Sequence, residues 1–357
     1  MKKLILSLML VLLATTGYAQ DGVVYHSVEG MPLYGTIVPD ATKKYSRLPD
    51  SIKPKIREEL WSLGLHSAGL SILFASDAST IRMKWKSLNK FSMNHMTPAG
   101  IRGLDLYVLQ DDGTWTTMGA ARPSLSSHNS TSLIMSNMEP KMREYMLFLS
   151  LYDGVDSIYV GIDSCAKLVQ PKVQLPKREK PVVMYGTSIL QGGCATRPGM
   201  AHTNILQRML NREVINLGFS GNDRLDMEIC DLMAKVDAGV YVIDVLPNCT
   251  SPMLSERIRP FYERLRKLRP STPILFVESP TFPNLRFNAK SREEIKEKNR
   301  ILREFFQSLD DAKAYYFESE RILPADSEYT VDNAHFTDAG FEYFAKAMYP
   351  VLCEILR

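Results

Sequence analysis

The 357-residue chain is short of several things, and each shortage narrows what it can be. It has five cysteines (Cys165, Cys194, Cys230, Cys249 and Cys353), and no two of them form C-x-x-C. That spacing argues against a zinc ribbon or a thioredoxin-like site. The odd count leaves at least one thiol free even where disulfides form. Most of the five read as small core residues. An excess of one charge is also lacking: 43 Lys and Arg against 40 Asp and Glu give a formal net charge of +3, with the basic residues scattered. Nucleic acid needs a clustered basic face, so no such partner is expected. Neither G-x-G-x-x-G nor a Walker pattern occurs, which argues against the common phosphate cradles. Beyond the first twenty residues no apolar run approaches the ~20 residues that span a bilayer. No internal repeat and no low-complexity tract is visible.

What is present falls into three stretches. Lys2 and Lys3 precede a mostly apolar run, Leu4 to Ala14, and a small-residue segment ending at Ala19. This is the pattern of a secretory signal, residues 1–19, with cleavage after Ala19. The mature protein is therefore expected outside the cytoplasm, periplasmic or extracellular, with no stable membrane span. At ~100–200 residues per domain the remainder suggests two domains. Residues 20–169 read as β. Ser71–Ala75, Thr80–Trp85, Leu104–Leu109, Thr114–Met118, Tyr145–Leu149 and Ser157–Ile162 are short strand patterns with turn punctuation such as Asp111-Asp112-Gly113. Many short strands predict a β-sandwich or jelly roll. One or two helical turns are expected near Ser51 to Leu63. Residues 170–180 form a Pro- and Lys-rich linker.

From residue 181 the pattern alternates. Buried strands are expected at Val182–Tyr185, Val214–Leu217, Val240–Leu246, Ile274–Val277 and Ala314–Phe317. Helices are expected at Ala201–Asn211, Asp226–Lys235, Ser255–Leu268, Ser291–Leu309 and Thr337–Leu356. Ser291-Arg-Glu-Glu294 looks like a capping box. Alternation of this kind specifies a parallel sheet covered by helices on both faces. Ligands of such sheets sit beyond the carboxyl ends of the strands, so the loops there are where chemistry is sought.

The first strand runs into Tyr185-Gly-Thr-Ser188, followed by Ile189-Leu-Gln-Gly-Gly193. A serine at such a junction is exposed near the positive end of the next helix, as a nucleophile must be. A phosphate-binding glycine loop is the competing reading. The elbow G-x-S-x-G is not formed, because Leu190 occupies its second glycine position. The second strand ends in Asn216-Leu-Gly-Phe-Ser-Gly221 and the third in Leu246-Pro-Asn248; each alone could be ordinary turn chemistry. The last loop carries Asp332 and His335. An Asp three residues before a His can fix the ring tautomer and leave the other nitrogen free to take a serine proton. A capping loop with an incidental histidine is the bland alternative. A metal site is the other, but it needs more ligands than this loop supplies.

In this order, residues 180–357 resemble the SGNH/GDSL hydrolases. Gly186-Thr187-Ser188 is similar to the block carrying the nucleophile, although the name-giving Asp is Thr187 here. Gly221 and Asn248 match the oxyanion-hole glycine and asparagine, although the usual G-x-N-D reads Leu246-Pro247-Asn248-Cys249. Asp332-x-x-His335 matches the acid and base. A subgroup of these hydrolases shares both departures and a run like Gly193-Cys-Ala-Thr-Arg-Pro-Gly-Met200. Gly103-Leu-Asp-Leu-Tyr107 resembles the G-x-D-L-Y motif of the β domain preceding that subgroup, with further matches at Ser46-Arg-Leu-Pro49 and Ser67-Ala-Gly69.

The resemblance implies a three-layer, flavodoxin-like α/β hydrolase domain. It implies a serine esterase with catalytic Ser188, Asp332 and His335 and an oxyanion hole from Ser188, Gly221 and Asn248. No metal or organic cofactor is called for. The expected substrate is a small-molecule or glycan ester, with acetyl or short acyl groups on carbohydrate favoured by export and the accessory domain. A lipase or phospholipase is one alternative, and a retired, glycan-binding hydrolase the other. Arg197 and His202 follow the nucleophile closely. Contact with substrate is weighed for them against a solvated loop and a helix start. A Cys194–Cys249 disulfide is a further expectation to test. Asp105 and Tyr107 read as structural, and Trp61, Trp85 and Trp115 as core. Oligomeric state is left open.

Overall fold

The computed structural model describes residues 22–37, 45–173, 179–324 and 327–357. The expected signal segment, residues 1–19, lies outside them, as does part of the expected linker, residues 174–178.

The first half is two antiparallel sheets. Its strands are β1 (Val23–Ser27), β2 (Leu33–Tyr34), β3 (Ser71–Ser76), β4 (Ile81–Ser87), β5 (Leu104–Leu109), β6 (Trp115–Ala121), β7 (Asn129–Met135), β8 (Arg143–Phe148), β9 (Val155–Asp163) and β10 (Leu168–Val169). One sheet runs β1-β9-β4-β7 and the other β10-β3-β8-β5-β6, with β2 beside β3. Along β4, Ile81, Met83 and Trp85 turn inward while Lys84 and Lys86 are exposed, the period of two that a half-buried strand shows. Trp85, Phe74, Leu104 and Ile158 pack in the core between the sheets. Strand β3 is buried along its whole length, because the sheet's other face is covered as well. There Leu73, Tyr107, Met146 and Phe148 form a second cluster, and the Arg208 guanidinium lies 4.1 Å from the Tyr107 ring centroid.

Among the described residues of this half there are two short helices, α1 (Glu58–Gly64) and α2 (Pro98–Arg102). The expected helical turns near residues 51–63 take the form of a 3-10 segment, Asp50–Lys55, followed by α1.

The second half is a five-stranded parallel sheet of β11 (Val182–Gly186), β12 (Val214–Gly218), β13 (Val240–Asp244), β14 (Ile274–Val277) and β15 (Ala314–Phe317). Its order is β12-β11-β13-β14-β15. The connecting helices are α3 (Ser188–Gln191), α4 (His202–Leu210), α5 (Met227–Met233), α6 (Ser251–Leu268), α7 (Ala289–Gln307) and α8 (Asp338–Ile355). Strand β11 shows how the three layers arise. Val183 and Tyr185 face a core shared with α5, α6 and α7, while Val182 and Met184 face one shared with α4 and α8. The chain turns from one side of β11 to the other, so a crevice opens beyond its carboxyl end.

Helix boundaries differ from the pattern where polar caps decide them. Helix α6 starts at Ser251 because Thr250 accepts from Met253 N and Pro252 fits the first turn. Helix α7 is capped by Asn288, which accepts from Ser291 N, so Ser291 lies inside the helix. Strand β13 stops at Asp244, and Leu246–Asn248 form a 3-10 turn.

The halves are tied through their interiors. Leu48, Ile52, Leu60 and Trp61 belong to the same apolar cluster as Tyr185 and Phe261. Arg47, buried beside them, donates to the carbonyls of His66 at 2.9 Å, Leu63 at 2.6 Å and Gly218 at 2.6 Å. Burial lowers the Arg47 pKa to about 9.

Candidate active site

Ser188 opens α3 directly after β11. Thr187 caps that turn by accepting from Ile189 N at 3.1 Å, which is what a short polar side chain does at this position. The next turn folds back tightly. Gly192 is left-handed at φ +100°, and Gly193 N donates to Ser188 O at 2.8 Å. A Cβ on Gly193 would lie 2.8 Å from Tyr152 Oη and 2.9 Å from His335 Cδ2. Only glycine lets this loop pass beneath the imidazole.

Ser188 Oγ lies 2.8 Å from His335 Nε2, and His335 Nδ1 lies 2.7 Å from Asp332 Oδ2. Asp332 Oδ1 accepts from the backbone N–H groups of His335 at 2.8 Å and Ala334 at 3.2 Å. Partial burial would raise the Asp332 carboxyl, but these N–H groups and the imidazole outweigh it and hold the pKa below the usual value. An ionised Asp332 accepts the proton on Nδ1, which leaves Nε2 as the acceptor for the Ser188 hydroxyl. The three residues converge as the spacing suggested.

Gly221 and Asn248 lie on the loops after β12 and β13. Gly221 adopts φ +69° with open space around it. Neither its backbone N–H nor that of Ser188 has an acceptor among the described residues. The Asn248 side-chain amide donates to Asp223 Oδ1, so one of its two hydrogens is held and the other remains for a ligand. Asp223 is fully buried, and burial raises its pKa well above the usual carboxylate value. Such donors can receive the charge of a tetrahedral intermediate.

The other candidates need correction. His202 is at a helix start but neither solvated nor available to substrate. It is fully buried, stacked on Phe341 at 5.8 Å and 4.8 Å from Phe344, and its pKa falls to about 3 through desolvation. Arg197 pairs with Asp105 at 2.7 Å and donates to Tyr107 Oη at 2.6 Å. Asp105 also accepts from Gly199 N at 2.8 Å. Arg197 thus ties the two halves together, and Asp105 and Tyr107 are structural. Cys194 and Cys249 are both free thiols, so the disulfide considered between them is not formed. Trp61 and Trp85 are core, whereas Trp115 is only partly buried.

The β half reaches the site in ways the motifs did not show. Tyr152 Oη donates to Ser188 O at 3.2 Å. The Gln191 amide pairs with His66 Nδ1 at 3.1 Å and accepts from Ser220 N at 3.0 Å, so it spans β half, nucleophile helix and Gly221 loop. The His95 ring lies 5.7 Å from that of His335. With Cys194 and Asp332 these two imidazoles form a group whose donor atoms all lie within 4.8 Å of one another. A cavity of about 770 Å³ between Phe282, Arg292 and Glu320 lies apart from these groups and holds no base paired with a nucleophile.

A serine hydroxyl, an imidazole and a carboxylate in series, at the carboxyl edge of a parallel sheet, define a serine hydrolase. Residues 179–353 match the GDSL-like Lipase/Acylhydrolase family, and residues 23–168 match the family described as the N-terminus of Esterase_SGNH_hydro-type. The C-terminal region therefore belongs to the GDSL/SGNH acylhydrolases, carried behind a GxDLY β domain, and the chain is a carboxylic ester hydrolase. Among solved structures it is similar to a putative GDSL-like lipase from Bacteroides ovatus, with 29% identity, TM-score 0.88, and coverage of 94% of this chain and 98% of that one. The salicylyl-acyltransferase SsfX3 of a tetracycline biosynthetic pathway shares the fold at 15% identity and TM-score 0.69, again covering 94% and 98%. A family two carbohydrate esterase from Cellvibrio japonicus does so at 13% identity and TM-score 0.60, with the same coverage. No curated protein matches the chain. No helix of the described residues is long and apolar enough to cross a membrane.

Proposed function

We propose that the protein is an exported esterase that removes acetyl or other short acyl groups from carbohydrate, with Ser188 as nucleophile, His335 as base and Asp332 as its orienting carboxylate. The observation that carries this reading is the series of hydrogen bonds from Ser188 Oγ through His335 to Asp332, at 2.8 and 2.7 Å. Ser188 Oγ attacks the ester carbonyl carbon and its proton passes to His335 Nε2. The carbonyl oxygen becomes an oxyanion that accepts from Ser188 N–H, Gly221 N–H and the Asn248 amide. The C–O bond to the alcohol then breaks, and the alcohol leaves with the proton held by His335. Water, deprotonated by His335, attacks the acyl-serine and releases the acid and free Ser188.

The carbohydrate assignment draws on the shared fold with carbohydrate esterases and on the signal-like first nineteen residues. The test compares release of p-nitrophenol from the acetate and butyrate esters, and of acetate from acetylated xylan, by wild type and Ser188→Ala. Turnover that falls at least about 10³-fold in the variant is expected, with acetate preferred over butyrate. Equal rates in both proteins would remove Ser188 as the nucleophile. Fractionation of the producing cell tests export.

A further inference from the structure

We infer that His95, Cys194, Asp332 and His335 form a binding site for a soft divalent cation of the zinc type, and that occupancy of this site switches the esterase off. The inhibitory half rests on the catalytic reading above; the binding half does not. The last loop supplies only one carboxylate and one imidazole, too few for a metal. Folding brings the missing two from distant parts of the chain. His95 arrives on the segment between β4 and α2 of the β half, and Cys194 on the turn after α3. The four donor atoms lie within 4.8 Å of one another, so shifts of about 1 Å bring them to tetrahedral zinc distances of ~2.0–2.3 Å from a common centre.

The donor set suits the ion. Two imidazoles, a thiol and a carboxylate match zinc, with sulfur favouring it over magnesium or calcium. Cys194 is 4% exposed, and its thiol has no hydrogen-bond partner among the described residues. It sits close to the Asp332 carboxylate with nothing else to satisfy it. On binding, the thiol gives its proton to solvent, and thiolate plus carboxylate balance the two charges of the ion. His95 Nδ1 lies 3.0 Å from Asn94 Oδ1. With the Nδ1 proton donated to that oxygen, Nε2 is left with its lone pair, the arrangement that orients metal-binding imidazoles.

Inhibition follows from geometry. Both ring nitrogens of His335 are already engaged, Nδ1 with Asp332 and Nε2 with Ser188. Whichever nitrogen takes the metal, one of the two bonds that make the base is lost. Metal and catalysis therefore compete for the same imidazole, and the β domain takes part in regulation through His95.

Binding is read without turnover, by titrating cobalt(II) into the full mature chain and recording the sulfur-to-cobalt charge-transfer band and the tetrahedral visible bands. Zinc is then used to displace the cobalt. One cobalt per chain, a thiolate band and a loss of affinity of about tenfold or more in each of Cys194→Ser and His95→Gln are expected. In the wild type, zinc should inhibit p-nitrophenyl acetate hydrolysis over the concentration range that displaces cobalt, and a chelator should restore it. The two variants should need correspondingly more zinc. Ser188→Ala keeps all four ligands and should still bind cobalt. If it binds while the wild type shows no turnover, the site stands and the esterase reading fails. Absence of the thiolate band in wild type, or a band that survives Cys194→Ser and so belongs to Cys165 or Cys353, overturns the site. Zinc inhibition unchanged in both variants overturns the regulatory role.

Discussion

On the proposed mechanism, Asn248 is a single side chain prepared for charge. Its amide is pinned by Asp223, a carboxyl buried deeply enough to lie well above the usual range. One amide hydrogen is thereby held, and on the proposed mechanism the other meets the oxyanion as a preorganised donor. Asn248→Ala is expected to lower kcat on p-nitrophenyl acetate by about 10²–10³-fold with little change in KM, as loss of a donor used only in the transition state does. A change confined to KM would place Asn248 in ground-state binding instead. His202 makes the opposite case, a titratable ring removed from chemistry. Its folded pKa is about 3 against 6.5 in the unfolded chain. The unfolded state therefore binds the extra proton first, and stability falls as pH drops from about 6.5 towards 3. From near pH 7.5 to near pH 5 this amounts to about 2 kcal/mol, and His66, also lowered to about 3 by burial, adds a similar loss. His202→Phe should make that acid slope shallower in urea titrations at the two pH values; an unchanged slope would mean that the ring is hydrated in solution. At this scale the spacing of Asp332 and His335 was readable because both lie on one loop. The parts of His95 and Cys194 were not, because they depend on pairs about 100 to 240 residues apart in sequence. His202 was ambiguous since a histidine at a helix start carries no mark of which side it faces.

Periodicity carried the strands that are buried on one face or both. Leu104–Leu109 and Ile274–Val277 stand where their patterns placed them. The strands that escaped notice, β1, β2, β7 and β10, lie at sheet edges or are two residues long. The sequence of β7, Asn-Ser-Thr-Ser-Leu-Ile-Met, is polar over its first half because that half is largely exposed. Its strand character comes from pairing with β4, which is a tertiary and not a local cause. The turn after α3 and strand β5 illustrate a tie between elements. Asp105 on β5 is fully buried, and its charge is met by Arg197 and Gly199 N. Removing one partner of a buried pair leaves the other uncompensated. Arg197→Met should therefore cost about 3 kcal/mol in guanidinium unfolding, and much less when combined with Asp105→Asn. At temperatures where the variant stays folded, its KM should match wild type; a selective rise in KM would return Arg197 to the substrate site.

Across the whole molecule, the β half keeps a core of its own between its sheets, yet it also enters both cores of the α/β half. Arg47 bonds the carbonyl of Gly218 at the end of β12, Trp61 and Leu60 enter the core beneath β11 and α6, and Phe148 and Tyr107 lie against Arg208 of α4. A Cβ on Gly69 would come within 2.4 Å of the Asn216 side chain, so the two chain segments touch backbone to side chain. An α/β half cut at residue 179 would expose the apolar surface that Leu48, Leu60 and Trp61 cover. It would also lose the Arg47 donors to β12 and the Tyr152 and His66 contacts to the nucleophile helix. At ~1.5–3 kcal/mol for each large apolar side chain that loses its burial, the sum rivals the 5–15 kcal/mol total stability of a typical domain. The full chain is therefore expected to unfold in one transition, with tryptophan fluorescence and far-ultraviolet circular dichroism superimposing. The fragment 179–357 should show exposed apolar surface by dye binding and no esterase activity. Two resolved transitions in the full chain, or an active, cooperatively folding fragment, would show that the β domain is an appendage and that the contacts beneath Ser188 are dispensable.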